Sequence, residues 1–244
     1  MTTTVSLQAV VAFWTAHLGC SEVQLAKPRT SVVSNGPELA SFRGATVVFR
    51  PPACVLAVPT DWYEPVASRV GQRPPAAVFD VVVLRQVFGA AVDQVIGPAW
   101  LGYADASDFR PAPTMGARLL GDQDLPQLQR LAAACGPVAW EHSGIHPARP
   151  PVFGCFEGEV LVGAGMLERW GDRLLQVGIV THPDYRGRGY GKAVVSAMTA
   201  HGLAAGGVVQ YRTLQANLPS VGIAQALGFQ RFAQTLAVRL IPPP

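Results

Sequence analysis

The residues best suited to chemistry lie together in Val180-Thr181-His182-Pro183-Asp184-Tyr185-Arg186-Gly187-Arg188-Gly189-Tyr190-Gly191-Lys192. Three glycines alternate through this joint, and two arginines sit among them. It links a β-rich run, Leu174 to Val180, to a helical run, Lys192 to Ala205. Unpaired N–H groups at a helix start, and the dipole behind them, favour an anion there. Glycines let the backbone turn tightly and approach a phosphate without a Cβ in the way. Arginines add charge and forked hydrogen bonds. Two common phosphate loops are excluded. A P-loop needs Gly-x-x-x-x-Gly-Lys-Ser/Thr, but Gly191-Lys192 is followed by Ala193, and Arg186 stands at the first glycine. The dinucleotide fingerprint spaces its glycines G-x-G-x-x-G and needs a β-α-β unit with an acidic residue downstream; here the spacing is G-x-G-x-G.

Further along, Gln215-Ala216-Asn217-Leu218-Pro219-Ser220 leads into a helical run ending Leu227-Gly228-Phe229. Taken together, the two segments resemble the GCN5-related N-acetyltransferase (GNAT) superfamily. Its pyrophosphate loop reads roughly V-x-P-x-x-R-G-x-G-x-G, matched by Arg186, Gly187, Gly189 and Gly191, with Thr181 where the family often has Val. Its second motif reads N-x-x-A/S, a helix, then L-G-F, matched by Asn217, Ser220, Leu227, Gly228 and Phe229. The resemblance covers about residues 115–240, half of the chain.

It implies transfer of an acetyl or other acyl group from acetyl-CoA to an amine, by direct attack in a ternary complex. The pyrophosphate would rest on Arg186, Gly187, Arg188, Gly189, Tyr190, Gly191 and Lys192, with Asn217 and Ser220 also touching the cofactor. Pantetheine would follow the strand before the loop, with Ile179, Val180 and Thr181 against it. In the family a bulge splays this strand, and one of its amides polarises the thioester carbonyl. Gly178 permits such a bulge; close helix packing explains it equally well. The base that frees the amine is sought in Glu141, Glu168 and His142. Family members often place a Tyr seven residues after the Asn to protonate the leaving thiolate. Here Ala224 holds that position, leaving Ser220 or water for the task. That departure also keeps open a second function, a non-catalytic acyl-CoA sensor. The acceptor is a small-molecule or peptide amine.

The surrounding elements must position these groups. Ser6 to Leu18 reads as a helix with Leu7, Val10, Val11, Trp14 and Leu18 on one face, stopped by Gly19. Thr46 to Arg50 and Ala53 to Val58 read as strands. Asp61-Trp62-Tyr63-Glu64 fits a capping box opening a helix to Val70. Phe79 to Phe88 reads as a helix, or in part as strand through its valines. Ala91 to Ile96 is a strand that Gly97-Pro98 breaks. Beyond Arg110-Pro111-Ala112-Pro113 the order becomes β-α-β-β-β-α-β-α-β, ending in a strand over Phe232 to Leu240. The expected fold is α/β (α+β), a mixed central sheet with flanking helices. The GNAT-like domain spans 115–244, and 1–110 form an α/β accessory domain, either a degenerate copy or unrelated.

Composition bounds the rest. The chain has 244 residues, 49% hydrophobic and 14% charged, with net charge +3. So small an excess of positive charge, with no basic block, argues against nucleic acid. Lys27 and Lys192 are the only lysines. Low charge leaves apolar surface for a homo-oligomer interface or a substrate groove. Cys20, Cys54, Cys135 and Cys155 show no metal spacing, so no metal is expected. With no signal-peptide start and no apolar run near the ~20 residues a membrane helix needs, a cytoplasmic protein away from membranes is expected.

Overall fold

The computed structural model describes residues 4–146, 148 and 151–241. The chain divides into two compact units. One comprises Thr4–Leu101, Thr213–Leu218 and the residues from Arg231 onward. The other comprises Gly102–Arg212 and Pro219–Gln230. The closing strand, expected within the C-terminal domain, therefore groups almost wholly with the N-terminal unit.

The N-terminal unit opens with α1 (Thr4–Leu18). Val10, Trp14 and Leu18 recur at helical spacing and are buried. Gly19 ends it at φ 72°, pressed so close to Ser34 that an added Cβ would lie 2.7 Å from its carbonyl oxygen. A short α2 (Glu22–Ala26) follows, not among the expected elements, opened by a Ser21–Gln24 capping box. Nor was β1 (Thr30–Ser34) expected; it pairs in parallel with β3 (Ala53–Val58). Between them in sequence, β2 (Gly44–Arg50) pairs antiparallel with β3.

Three helices follow: α3 (Tyr63–Val70), α4 (Pro75–Val78) and α5 (Val81–Phe88). The Asp61 capping box does not form; a 3-10 turn, Thr60–Trp62, leads into α3 without a side-chain cap. Asp80 instead caps α5, accepting from the amides of Val82 and Val83, so that helix starts at 81. β4 (Val92–Ala104) does not stop at Gly97-Pro98. Glycine, with φ 116° there, turns the backbone as other residues cannot, and the strand carries on. Leu56, Leu84 and Phe88 form the core with Leu236 and Val238. No helix among the described residues is long and apolar enough to cross a membrane.

The C-terminal unit runs β5 (Arg118–Leu119), α6 (Leu125–Cys135), α7 (Pro137–Ser143), β6 (Val152–Glu157), β7 (Val160–Trp170), β8 (Leu174–Thr181), α8 (Tyr190–Ala204), β9 (Val208–Leu214) and α9 (Leu218–Ala226). β10 (Gln230–Leu240) then returns to pair antiparallel with β2. The strand order is β9-β8-β7-β6-β5, with β8 and β9 parallel and the other pairs antiparallel. The fold is thus α/β (α+β), mixed sheet with flanking helices, as expected. Arg110–Pro113 is not a loose connector: Ser196 Oγ accepts from the Ala112 amide (2.9 Å) and donates to its carbonyl (3.0 Å).

Period-two alternation divides the side chains of this sheet between two faces. Ala164, Met166 and Val180 pack with Leu128 and Leu131 of α6 on one face. On the other, Gly165 admits Met198 of α8, whose Cε lies 2.6 Å from where a Cβ would stand.

Candidate active site

The site begins where two parallel strands part. β8 and β9 are paired over Leu174↔Val208, Leu175↔Val209 and Gln176↔Gln210, and the pairing stops there. On its other side β8 stays paired to β7 throughout, Trp170↔Leu174 to Gly163↔Thr181, with no break in register. Beyond Gln176 the backbone groups of Val177, Ile179 and Thr181 therefore face the gap, where the Val177 and Thr181 carbonyls accept from Gln176 Nε2 and Arg186 Nε, while Val180 between them pairs with Ala164 of β7. Of the two readings of Gly178, the bulge is not present in the pairing with β7. Gly178 is there for packing: a Cβ would stand 2.0 Å from the carbonyl oxygen of Ser143, at the end of α7.

The free edge runs into the glycine loop. A 3-10 turn, Pro183–Tyr185, is capped by His182 Nδ1, which accepts from the Asp184 amide (3.3 Å), while the ring meets Tyr185 edge-on. The glycines have different reasons. Gly187 (φ 76°) and Gly189 (φ 92°) hold left-handed conformations. Gly191 is a packing glycine, its absent Cβ 2.9 Å from Thr181 Oγ1. Gly189 starts α8 with no side-chain cap, so the first-turn amides of Tyr190, Gly191 and Lys192 remain available to a ligand. Arg186 and Arg188 are exposed beside them. Arg186 Nε donates to the Thr181 carbonyl (3.4 Å), and Arg188 lies over the Tyr185 ring and 3.9 Å from Glu157. The Tyr190 hydroxyl donates to Glu157, a bond that raises its pKa above the usual phenol value.

A row of polar side chains crosses the base of the gap on the α6–α7 face. Glu168 stands opposite Gln176 in register. The Gln210 amide donates to Gln176 Oε1, and the Tyr103 hydroxyl donates to Gln210 Oε1. Tyr103 and Gln210 are buried. Arg212 follows Gln210 on the same face, beyond the last paired residue. None of these but Glu168 was picked out from the sequence. The signal was there, since Gln210 and Arg212 form an i, i+2 polar stripe in a strand that is otherwise β-branched, aromatic or aliphatic.

The proposed catalytic residues fall on different faces. Glu168 Oε2 accepts from Trp170 Nε1 (3.1 Å). Glu141 and His142 are exposed on the last turn of α7. Ser220 belongs to the other face, where its Oγ is 2.9 Å from the hydroxyl of Tyr211. Burial pushes the pKa of Tyr211 up to about 12. Asn217 is exposed in the turn before α9, its amide donating to the Leu214 carbonyl (2.9 Å). Ala224 is fully buried. Among the described residues, no group of three or more His, Cys, Asp or Glu is placed to hold a metal ion.

Residues 122–229 match the family model "Acetyltransferase (GNAT) family", and the C-terminal half of the chain carries a GNAT acetyltransferase domain. No curated protein matches the chain. Among solved structures, a GNAT-family acetyltransferase from Colwellia psychrerythraea is similar over 99% of this chain and 98% of its own, at 13% identity and TM-score 0.56. A putative GNAT acetyltransferase from Novosphingobium aromaticivorans is 24% identical over 63% of this chain and 67% of its own, at TM-score 0.50. A GCN5-related N-acetyltransferase from Sphaerobacter thermophilus is similar over 68% of this chain and 58% of its own, at 12% identity and TM-score 0.51. These likenesses are of fold.

Proposed function

We propose that this protein is an acyl-CoA-dependent N-acyltransferase that moves an acetyl or other acyl group to an amine. The observation that carries this reading is the continuity of the free β8 edge with an uncapped, glycine-rich helix start flanked by two exposed arginines. That geometry fits acyl-CoA: an amide-bearing arm for the edge, and a pyrophosphate for the helix start.

Acetyl-CoA supplies an activated thioester. The protein supplies position first. Residues 186–192 hold the pyrophosphate, Ile179–Thr181 align the pantetheine, and Asn217 and Ser220 border the cofactor. The Ile179 amide, on the gap side of β8, donates to the thioester oxygen as charge develops there, and Val180 beside it stays paired to β7. On the α6–α7 face, Glu168 takes the proton released by the attacking amine, directly or through water. Glu141 and His142 are the alternative bases, from the rim of the same face. The new C–N bond replaces the C–S bond. The thiolate takes its proton from water, directly or relayed through the Ser220 hydroxyl on the opposite face, which Tyr211 holds in place. The acceptor is a small-molecule or peptide amine.

The unit formed by Thr4–Leu101 and the closing strand serves as an accessory to the unit that carries the acyltransferase domain, in place of a division into 1–110 and 115–244. The four cysteines are free thiols, which suits the reducing cytoplasm, where acyl-CoA is made and used. Buried Ala224, in place of a tyrosine acid, favours a second reading, an acyl-CoA sensor without turnover. Titration calorimetry with acetyl-CoA, followed by thiol release across an amine panel, separates the two. Binding with release is the expected result. Binding without release supports the sensor, and no binding removes both.

A further inference from the structure

Arg212 is out of place for a structural arginine. It lies on β9 just past Gln210, the last residue paired with β8, and on the same face as Glu168 and Gln176. It is mostly withdrawn from solvent, and desolvation lowers its pKa. It makes no hydrogen bond or ion pair with any described residue. None of its nitrogens is fully sealed from water. A guanidinium in such a place loses hydration and has only the nearby Tyr103 to offset that loss in the free protein. Arg118, by contrast, finds both a carboxylate and a ring, in Asp124 and Phe156.

We propose that Arg212 is the anchor for a carboxylate on the acceptor, so that the substrate amine belongs to an amino-carboxylate. The inference rests on the acyl-transfer reading and deepens it. The neighbours along the strand base are neutral: Tyr103, Gln210 and Gln176 add no second positive charge. One planar cation therefore matches a singly charged carboxylate, in fork-to-fork geometry, better than a phosphate dianion. Its face is the acceptor side of the gap, opposite the α8–α9 face that holds Ser220. An acceptor gripped there presents its amine toward the β8 edge, within the same row as Glu168. The Tyr103–Gln210–Gln176 chain fixes the strand on which the arginine is mounted.

The test is equilibrium titration of the CoA-loaded full chain with N-acetyl amino acids and their methyl esters, taken from several side-chain classes. These are products and product analogues, so turnover is not required. The expected result is that at least one acid binds ten-fold or more tighter than its ester. In Arg212→Gln that preference disappears while CoA affinity stays within two-fold. Arg212→Lys keeps part of the preference, and melting curves on both variants check folding. If every acid binds no better than its ester, the inference is overturned. It is equally overturned if Arg212→Gln weakens CoA itself, because the arginine then serves the cofactor. No binding of CoA by the unaltered chain overturns the acyl-transfer reading, and this one with it.

Discussion

Gln176 and Gln210 are the last residues paired between β8 and β9, and the Gln210 side-chain amide donates to the Gln176 side-chain oxygen at the point where the strands part. The bond works as a clasp at the base of the gap. Gln210 is fully buried and also accepts from Tyr103. Its replacement by leucine takes one acceptor from the Tyr103 hydroxyl and removes the Gln210 donor from the Gln176 oxygen. An unsatisfied buried polar group costs about 1–3 kcal/mol. Gln210→Leu is expected to lower urea stability by that order, with CoA affinity falling as the gap loses its set width.

Charge reversal tests the loop more directly. Arg186→Glu places a carboxylate beside the expected pyrophosphate, next to the uncapped start of α8. CoA affinity should fall at least ten-fold, about 1.4 kcal/mol, as read by calorimetry. Arg186 is exposed, so melting temperature should barely move. Unchanged affinity would mean the loop is misread.

Gly189→Ala asks whether the loop's conformation matters apart from its charge. At φ 92° a side chain is strained, by an amount on the order of 1–2 kcal/mol. The loop is expected to shift, weakening CoA binding, and the melting temperature to drop by about 2–4 °C per kcal/mol in a chain of this size. Differential scanning calorimetry with and without CoA reads both effects.

The extent to which this was legible from the sequence depended on what each residue answers to. Gly187, Gly189 and α8 answer to local rules, turn conformation and helix start, so the turn and the helix after it were legible in the sequence. β1 was not, because Thr30–Ser34 is short and mixed, and its strand conformation comes from a partner distant in sequence, β3. The polar row from Glu168 to Tyr103 is assembled from four separate strands, so no window along the chain contains it. Gly178 shows the same limit: both a bulge and a packing contact call for glycine, and only Ser143 decides.

Gly178→Ala should accordingly behave as a packing lesion. Its Cβ would stand 2.0 Å from the Ser143 carbonyl oxygen, so α7 must move or the strand must yield. Overpacking of this kind costs about 1–3 kcal/mol. The expected outcome is a lower denaturation midpoint, with turnover more affected than CoA affinity if the acceptor binds on the α7 face, as proposed.

Acid sensitivity should centre on Asp124. Arg118 holds it in a bidentate pair (2.7 and 2.8 Å), and this bond keeps its carboxyl below the usual carboxylate pKa, helped by the Gly121 amide. A depressed pKa contributes stability above the unfolded value, about 3.9, and loses it as pH falls through the lower native value. Asp124→Asn should be less stable than the parent at pH 7, with the two converging below about pH 4. Urea midpoints measured from pH 7 to pH 3 check this.

The free edge of β8 has a consequence beyond catalysis. An unpaired strand is a row of donors and acceptors waiting for a partner, and exposed edges invite unwanted association. If acyl-CoA lies along residues 177–181, the nucleotide thioester is the sheet's missing strand. Its supply then governs the protein's survival as well as its turnover: a ligand at a hundred times its Kd adds about 2.7 kcal/mol to folding stability. Starved of acyl-CoA, the cell would hold a frailer, stickier and shorter-lived protein, its abundance following the metabolite it consumes.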